Sequence, residues 1–337
     1  MQKIPVFRKL LLDWYRRAKR DLPWRRTSDP YAIWISEIML QQTRVAAVIP
    51  YYERFLSALP DFRALAAAPE PVLLKMWSGL GYYSRARNLR RAASQMVELG
   101  GFPQDYDALR GLAGIGGYTA AAIASIAFGQ PHAVLDGNVM RVLARLNNDA
   151  SDIADGEARK RMQAEAQHLL DRRYPGEFNQ AMMELGATVC LPKQPQCGIC
   201  PVSGLCAGKA AERQHELPIK LRRMNTIKVE RTLLAIFRGD TVLAWQRGEE
   251  SSQLRGFWEL PEPHHLPEAE IVRRVGEFRH AITNHQYLFQ VVEARIFRKP
   301  KSFAYVSLSH DGAHPLSTAT RKALACLKKW RKSFPGS

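Results

Sequence analysis

From Val6 to Leu205 apolar residues recur three and four positions apart, the spacing that lines one face of an α-helix, and no convincing strand run interrupts them. Helix starts are marked locally: Ser28 and Asp29 stand before Pro30, and proline suits the first helical turn. After Cys206 the stretch AGKAAERQHELPIKLRRMN is polar and basic, with one proline, and reads as a connector. The pattern then changes. TIKVERTLLAIF, the turn RGD, TVLAWQRG, HQYLFQVVEARIF and SFAYVSL are rich in β-branched and aromatic residues and predict strands, whereas PEAEIVRRVGEF and STATRKALACLKKW predict helices. The expected architecture is an all-α domain over residues 1–206, a connector over 207–225 and an α+β domain over 226–337. No internal repeat is present.

Length agrees with this division, since 337 residues suffice for about two domains, each with its own core. The formal charge of +17 divides into +10 over residues 1–224 and +7 over 225–337, so basicity is not confined to a tail. Such a chain suits a polyanion, because neutralising phosphates releases their counterions; general solubility is the plainer reading. The opening MQKIPVFRKLLLDWYRRAKRDLPW has no apolar core of signal-peptide length, and no window reaches the ~20 apolar residues of a membrane span. A monomer in the cytoplasm, associated with the nucleoid and with no membrane partner, is expected.

Four of the five cysteines, Cys190, Cys197, Cys200 and Cys206, fall within seventeen residues as CX6CX2CX5C. Pro192, Pro195, Pro201 and Gly198 allow that stretch to wrap around one centre. Clustering argues for a metal over disulfides, and four thiolates suit tetrahedral zinc or a cubane [4Fe-4S] cluster. Zinc ribbons usually present two CX2C pairs; here only the middle pair is so close. The asymmetric spacing resembles the cluster loop of the endonuclease III superfamily of DNA glycosylases, and that resemblance, not thiolate chemistry, favours iron-sulfur.

LAGIGGYTA, Leu112 to Ala120, admits two readings. A dinucleotide loop needs a strand before its glycines, but YDALRGLAG before them and YTAAAIASIAF after them are both helical in pattern. Helix, glycine turn and helix resemble a helix-hairpin-helix motif, with Ala113 where the common form has proline. There Gly114, Gly116 and Gly117, with the following helix start, offer backbone N–H groups to a DNA phosphate. Tyr118 stands where bifunctional members of the superfamily carry the lysine that forms a Schiff base. Tyrosine cannot form one; packing at a helix start is its plainer role.

Hydrolysis of an N-glycosidic bond needs one acid and one ionised carboxylate. Glu37 is the only charged side chain between Tyr31 and Gln42, and burial there would raise its pKa; an edge position is the alternative. Asp136, in HAVLDGNVMRVLARL, reads as a helix N-cap, a role compatible with catalysis.

LPWR, SEIMLQQTRV, GLGYYSRARNL, LDGNVMRVLAR, FNQAMMELGATVC and the cysteine loop together resemble the MutY-type adenine DNA glycosylases over about the first two-thirds of the chain. The resemblance implies a monofunctional enzyme of base excision repair that acts on double-stranded DNA carrying adenine opposite 8-oxoguanine or guanine. In it Glu37 protonates the adenine, Asp136 stabilises or bonds to the oxocarbenium ion, and Tyr118 and Asn138 support the sugar and Asp136. Leu22, Trp24, Arg25, Gln180 and Met183 line the adenine pocket. Gln41, Gln42 and Thr43, with Gly81 to Arg85, supply amide and aromatic wedges, of which Gln42 and Tyr82 are placed in the helix beside the orphan base, where an aromatic stacks for ~1–3 kcal/mol; Tyr82 and Tyr83 read alternatively as core aromatics. Arg85, Arg87, Arg90 and Arg91 are expected to contact phosphates or to form a solvated face.

GFWELP and HPLSTATRKALACL resemble the C-terminal domain of the same glycosylases, a Nudix-like fold. No REXXEE metal helix occurs between Gly256 and Phe278, so binding of 8-oxoguanine without hydrolysis is implied. The family's recognition loop falls on Ile282, Thr283 and Asn284, with His285 next; Asn284 departs from the family's histidine. Two rival readings are an endonuclease III-like glycosylase/lyase and a non-catalytic iron-sulfur DNA-binding protein. The lyase requires a lysine at 118 and no second domain; the binding protein leaves Glu37 unexplained.

Overall fold

Helix boundaries are written in local chemistry. In the computed structural model, which describes residues 3–221, 225–248, 256–282, 284–309 and 314–333, five aspartates begin helices by accepting a backbone N–H, Asp61 among them through Ala64 N. Each such cap is worth ~1 kcal/mol. The helices are α1 (Lys3–Ala18), α2 (Pro30–Leu40), α3 (Val45–Ala58), α4 (Phe62–Ala67), α5 (Glu70–Trp77), α6 (Ser84–Glu98) and α7 (Tyr106–Arg110). They continue with α8 (Gly117–Phe128), α9 (Gly137–Leu146), α10 (Gly156–Leu169), α11 (Pro175–Thr188) and α12 (Ala207–Ala210). Asp29 caps α2, Asp105 caps α7, Asp136 caps α9 and Asp155 caps α10.

The chain divides into two compact units, Met1–Ala67 with Asn88–Arg223, and Ala68–Arg87 with Met224–Ser337. In the first, α2 and α8 are apolar on every side. Every residue from Tyr31 to Met39 is buried, as is Thr119 to Ser125. Helices hydrophobic all round belong inside a bundle, and α8 packs against α2 and α11 while α9 and α1 pack on α11. Phe7, Leu11, Val142, Leu143, Phe178 and Leu185 form the surrounding core. Fully burying such a side chain contributes roughly 1.5–3 kcal/mol. No strand occurs among the described residues of this unit. Residues 217–221 run back along it, with Ile219 bridging to Asp152 and the Leu217 carbonyl accepting from Arg145.

The second unit carries two sheets. β1 (Ile227–Ala235), β5 (Glu270–Ile282) and β6 (His285–Arg295) form one in the order β1-β6-β5, with β1 parallel and β5 antiparallel to β6. β2 (Phe237–Arg238), β3 (Thr241–Gln246), β4 (Trp258–Glu259) and β7 (Phe303–Ser307) form the other around β3. α13 (Thr318–Ser333) packs on β5, and Leu324 and Leu327 join Val242 and Val291 in a core.

PEAEIVRRVGEF is not the expected helix: most of it is β5. Its Ile271, Val275 and Phe278 satisfy a helical spacing, but cross-strand pairing wins. Phe278 lies opposite Phe289 with the rings stacked 5.0 Å apart, and two register irregularities near Arg273 and Gly276 absorb the imperfect alternation. The other expected strands and the C-terminal helix form where the pattern placed them.

Candidate active site

α2 carries Glu37 into the apolar interior, where it is 7% exposed. Its Oε2 accepts a 2.7 Å hydrogen bond from the Tyr118 hydroxyl, which also lies 3.2 Å from Met183 Sδ. Tyr118 reaches it because the glycine turn starts α8 one residue earlier. Burial pushes the Glu37 carboxyl up to about 7, and the negative charge of Asp136 adds to this, against the Tyr118 hydrogen bond and the Arg25 cation. Burial likewise raises Tyr118 well above an ordinary phenol, so it remains a neutral donor.

Asp136 stands at the head of α9 as its cap. Its Oδ1 accepts from Val139 N at 2.7 Å and its Oδ2 from Asn138 Nδ2 at 2.8 Å. Burial raises its pKa, opposed by these hydrogen bonds and by Arg141. Arg141 in turn donates to Asn138 Oδ1 at 2.9 Å, to the Gly186 carbonyl at 2.7 Å and to the Cys190 carbonyl at 2.8 Å. A side chain on Gly186 would meet Asn138 at 2.6 Å, so α11 approaches Asn138 only through a glycine.

The residues expected to line a base pocket gather in the same unit. Leu22 is buried, and Trp24 packs edge-on against Tyr52. Gln180 accepts from Tyr15 at 2.5 Å, and Arg25 donates to Glu184 at 2.7 Å. Sequence reading missed Glu184, which is fully buried and also takes a bidentate bond from Arg20. Burial alone would raise its pKa, but hydrogen bonds from Arg20 and Arg25 outweigh it and hold the carboxyl at about 2. A signal was present: Glu184 is the only charge between Glu177 and Lys193. Arg141 and Asn179 gave no comparable signal: beyond its own helix Arg141 reaches the Gly186 and Cys190 carbonyls, and Asn179 meets the Val134 N–H, the His132 carbonyl and Ser125 Oγ, all distant in sequence.

The hairpin turn runs from α7 to α8. Gly114 holds φ +74°, and a Cβ there would meet Asn88 at 2.6 Å. Gly116 caps α8 with no side chain, and both Gly116 and Gly117 are exposed, so the first N–H groups of α8 have no side-chain cap. Gln42 and Tyr82 are exposed and hold φ +59° and +47°, costly for non-glycine residues and typical of functional positions. Gln41 ends α2, and its carbonyl accepts from Thr43.

Tyr83 is a core aromatic, buried with its ring 4.1 Å from Phe257. Arg85 corrects an expectation: it is 8% exposed and donates to the Leu80 and Gly81 carbonyls, closing its own loop, and so offers no surface to a phosphate. Arg87 pairs with Glu70; Arg91 is exposed and Arg90 half-buried. Thr283 lies outside the described residues. Asn284 stands at the β5–β6 turn with its amide on the Asn225 carbonyl, and His285 begins β6.

All four cysteines of the loop line one cavity, with Arg145 and Gln214. Arg145, 2% exposed, donates to Cys190 Sγ at 3.2 Å and to the Leu191 and Pro192 carbonyls. Gln214 Oε1 is buried there without a partner. Burial pushes Cys200 up to about 11, so thiolates form there only around a cationic centre. The four cysteines share that one space, so all four thiols can serve a single centre. Four thiolates around one centre suit a [4Fe-4S] cluster or a zinc ion.

Comparison with known proteins agrees. Residues 35–168 match the family described as HhH-GPD superfamily base excision DNA repair protein, and residues 190–206 match the iron-sulfur binding domain of endonuclease III. The cofactor of the cysteine loop is therefore a [4Fe-4S] cluster. An adenine DNA glycosylase of Homo sapiens is 46% identical over 226 residues, covering 64% of this chain and 41% of its own, so this chain spans less than half of that relative. Two solved structures share the fold. A thermostable thymine-DNA glycosylase is 30% identical with a TM-score of 0.57, over 62% of this chain and 98% of its own. A non-covalent endonuclease III–DNA complex is 25% identical with a TM-score of 0.53, over 63% and 98%. No described helix is long and apolar enough to cross a membrane.

Proposed function

We infer that this chain, which belongs to the HhH-GPD superfamily of base excision DNA repair proteins, is a monofunctional DNA glycosylase that hydrolyses the N-glycosidic bond of adenine paired with 8-oxoguanine or guanine. One observation carries the reading: a buried carboxyl, Glu37, tuned to about 7 and hydrogen-bonded to a tyrosine at the head of the hairpin's second helix. A general acid is most effective when its pKa lies near the working pH. Protonated Glu37 gives its proton to the extruded adenine, the glycosidic bond breaks with both electrons leaving on the base, and Asp136 stabilises the sugar cation. Water then adds to the sugar and loses a proton. Tyr118 has no amine with which to form a Schiff base, so the strand stays intact.

The exposed glycine turn and basic surface suit duplex DNA, and Gln42 and Tyr82 are the side chains read as entering it. Leu22, Trp24, Arg25, Gln180 and Met183 hold the adenine. Cys190, Cys197, Cys200 and Cys206 hold the cluster, whose contribution is to fix the loop beside Arg141 and Arg145. The sheet-bearing unit is read as Nudix-like, with Asn284, His285 and Thr283 the candidates for meeting 8-oxoguanine. The thymine-DNA glycosylase likeness favours one second reading, excision of thymine from DNA.

Both readings answer to one assay. Labelled duplexes with A opposite 8-oxoguanine, A opposite G and T opposite G are incubated and then cleaved with alkali. Product from the adenine duplexes, lost in Glu37→Gln, is expected; product from T:G alone would replace the substrate, and equal product from both proteins would remove Glu37 as the acid.

A further inference from the structure

Residues 130–135, which lead into Asp136, belong to no helix or strand. Side-chain amides satisfy five of their main-chain groups, while Gln130 N donates to the Ala124 carbonyl and His132 N to the Gln130 carbonyl. Gln167 donates to the Pro131 carbonyl at 2.7 Å and accepts from Ala133 N at 2.9 Å, while Gln163 donates to the Ala133 carbonyl at 2.9 Å. Asn179 accepts from Val134 N at 3.1 Å and donates to the His132 carbonyl at 2.8 Å. Three amides thus stand in for the ladder a neighbouring strand would supply.

Asn179 does more than the other two. It is 2% exposed, and its second N–H donates to Ser125 Oγ at 2.8 Å. Ser125 belongs to α8, the helix that carries Tyr118; Asn179 belongs to α11, which carries Met183 and Glu184. The contact exists because α11 presses on α8 through a glycine: a Cβ on Gly176 would lie 2.6 Å from the Ser125 carbonyl. One side chain therefore ties together the helix bearing Tyr118, the helix bearing Met183 and Glu184, and the segment that ends on Asp136. Only an amide offers an acceptor and two donors in one planar fork.

We propose that Asn179, supported by Gln163 and Gln167, is a positioning residue that sets the placement of Asp136 relative to Glu37 and Tyr118. The proposal rests on the glycosylase reading above. A misplacement of the order of 1 Å costs on the order of 10²-fold in rate, whereas affinity for the duplex, built from contacts elsewhere, is retained.

Single-turnover excision from the A:8-oxoguanine duplex, using the full cluster-loaded chain, tests it beside the affinity for a duplex carrying non-cleavable 2′-fluoro-2′-deoxyadenosine. Asn179→Ala is expected to slow excision about 10²-fold with the affinity within about threefold. The groups facing Glu37 are Tyr118, Asp136 and Arg25. Asp136 helps hold Glu37 protonated, so the alkaline limb of the rate profile should move to lower pH as Asp136 drifts. Gln167→Met, on the exposed side of α10, should move rate and limb the same way by about tenfold in rate, and it decides the matter if Asn179→Ala does not fold. Folded variants with unchanged rate and limb overturn the proposal, as does a rate loss matched by an equal affinity loss with the limb unmoved. A wild-type chain inactive on every adenine duplex overturns the glycosylase reading instead.

Discussion

Glu37 and Glu184 are both buried carboxylates in largely apolar helices of one unit, yet one is pushed up to about 7 and the other held at about 2. Both suffer desolvation; they differ in what answers it. Glu184 receives two guanidinium groups and a backbone N–H. Glu37 receives one neutral hydroxyl, with Arg25 acting only at a distance and a second carboxylate, Asp136, opposing ionisation. An ion pair makes a fixed anion that organises its surroundings. An unpaired buried carboxyl keeps a transferable proton, and that costs stability.

The largest expected effect comes from removing the proton donor. Glu37→Gln should lower excision by roughly 10²- to 10⁴-fold in single-turnover assays. The same change should stabilise the fold in alkaline solution. A carboxyl whose folded pKa is raised loses stability as pH climbs from its unfolded value of 4.5 towards about 7, so the variant should gain roughly 3 kcal/mol by denaturant titration at pH 8 and little at pH 4. A variant no more stable than wild type at pH 8 would mean that Glu37 is not the strained member of the pair.

Glu184→Gln tests the other side. Arg25 would be left 10% exposed beside an uncharged amide, and stability at pH 7 should fall by roughly 3 kcal/mol, read as a lower denaturation midpoint. In the wild type that contribution is present above the unfolded value of 4.5 and is lost as pH falls through about 2. If pH 3 and pH 7 gave wild type and variant the same difference, the charge of Glu184 would not be what matters.

Tyr118→Phe blurs the contrast instead of abolishing it. Without the hydroxyl that favours ionised Glu37, the alkaline limb should move to higher pH, with the rate at pH 6 falling no more than about tenfold. A limb moving downward would reverse the assigned role. The smallest effect belongs to the sheet-bearing unit: Asn284→Ala removes a hydrogen bond to the Asn225 carbonyl and should weaken preference for 8-oxoguanine over guanine by about two- to tenfold. An unchanged preference would take Asn284 out of lesion recognition.

Much of this was legible from residue order. Asp29 and Asp136 as caps, Gly114 in its turn, the all-α character of the first unit and the cysteine spacing all depend on neighbours in sequence. Glu37 stood out as a lone charge in an apolar run, and its burial is as expected. Where the reading failed, a distant partner decided. β5 passes for a helix until Phe289 is set opposite Phe278, and Arg85 passes for a phosphate contact until its guanidinium turns back on the Leu80 and Gly81 carbonyls.

The chain by itself determined which side chains were available for chemistry, because caps, turns and a helical period act over four residues or fewer. Which buried carboxyl keeps a proton was settled only by the tertiary structure. Desolvation and pairing depend on groups far apart in sequence: Tyr118 is 81 residues from Glu37, and Arg20 is 164 from Glu184. Asn179 belongs with them, since the amide that steadies the approach to Asp136 comes from another helix, 45 residues beyond the Val134 it holds.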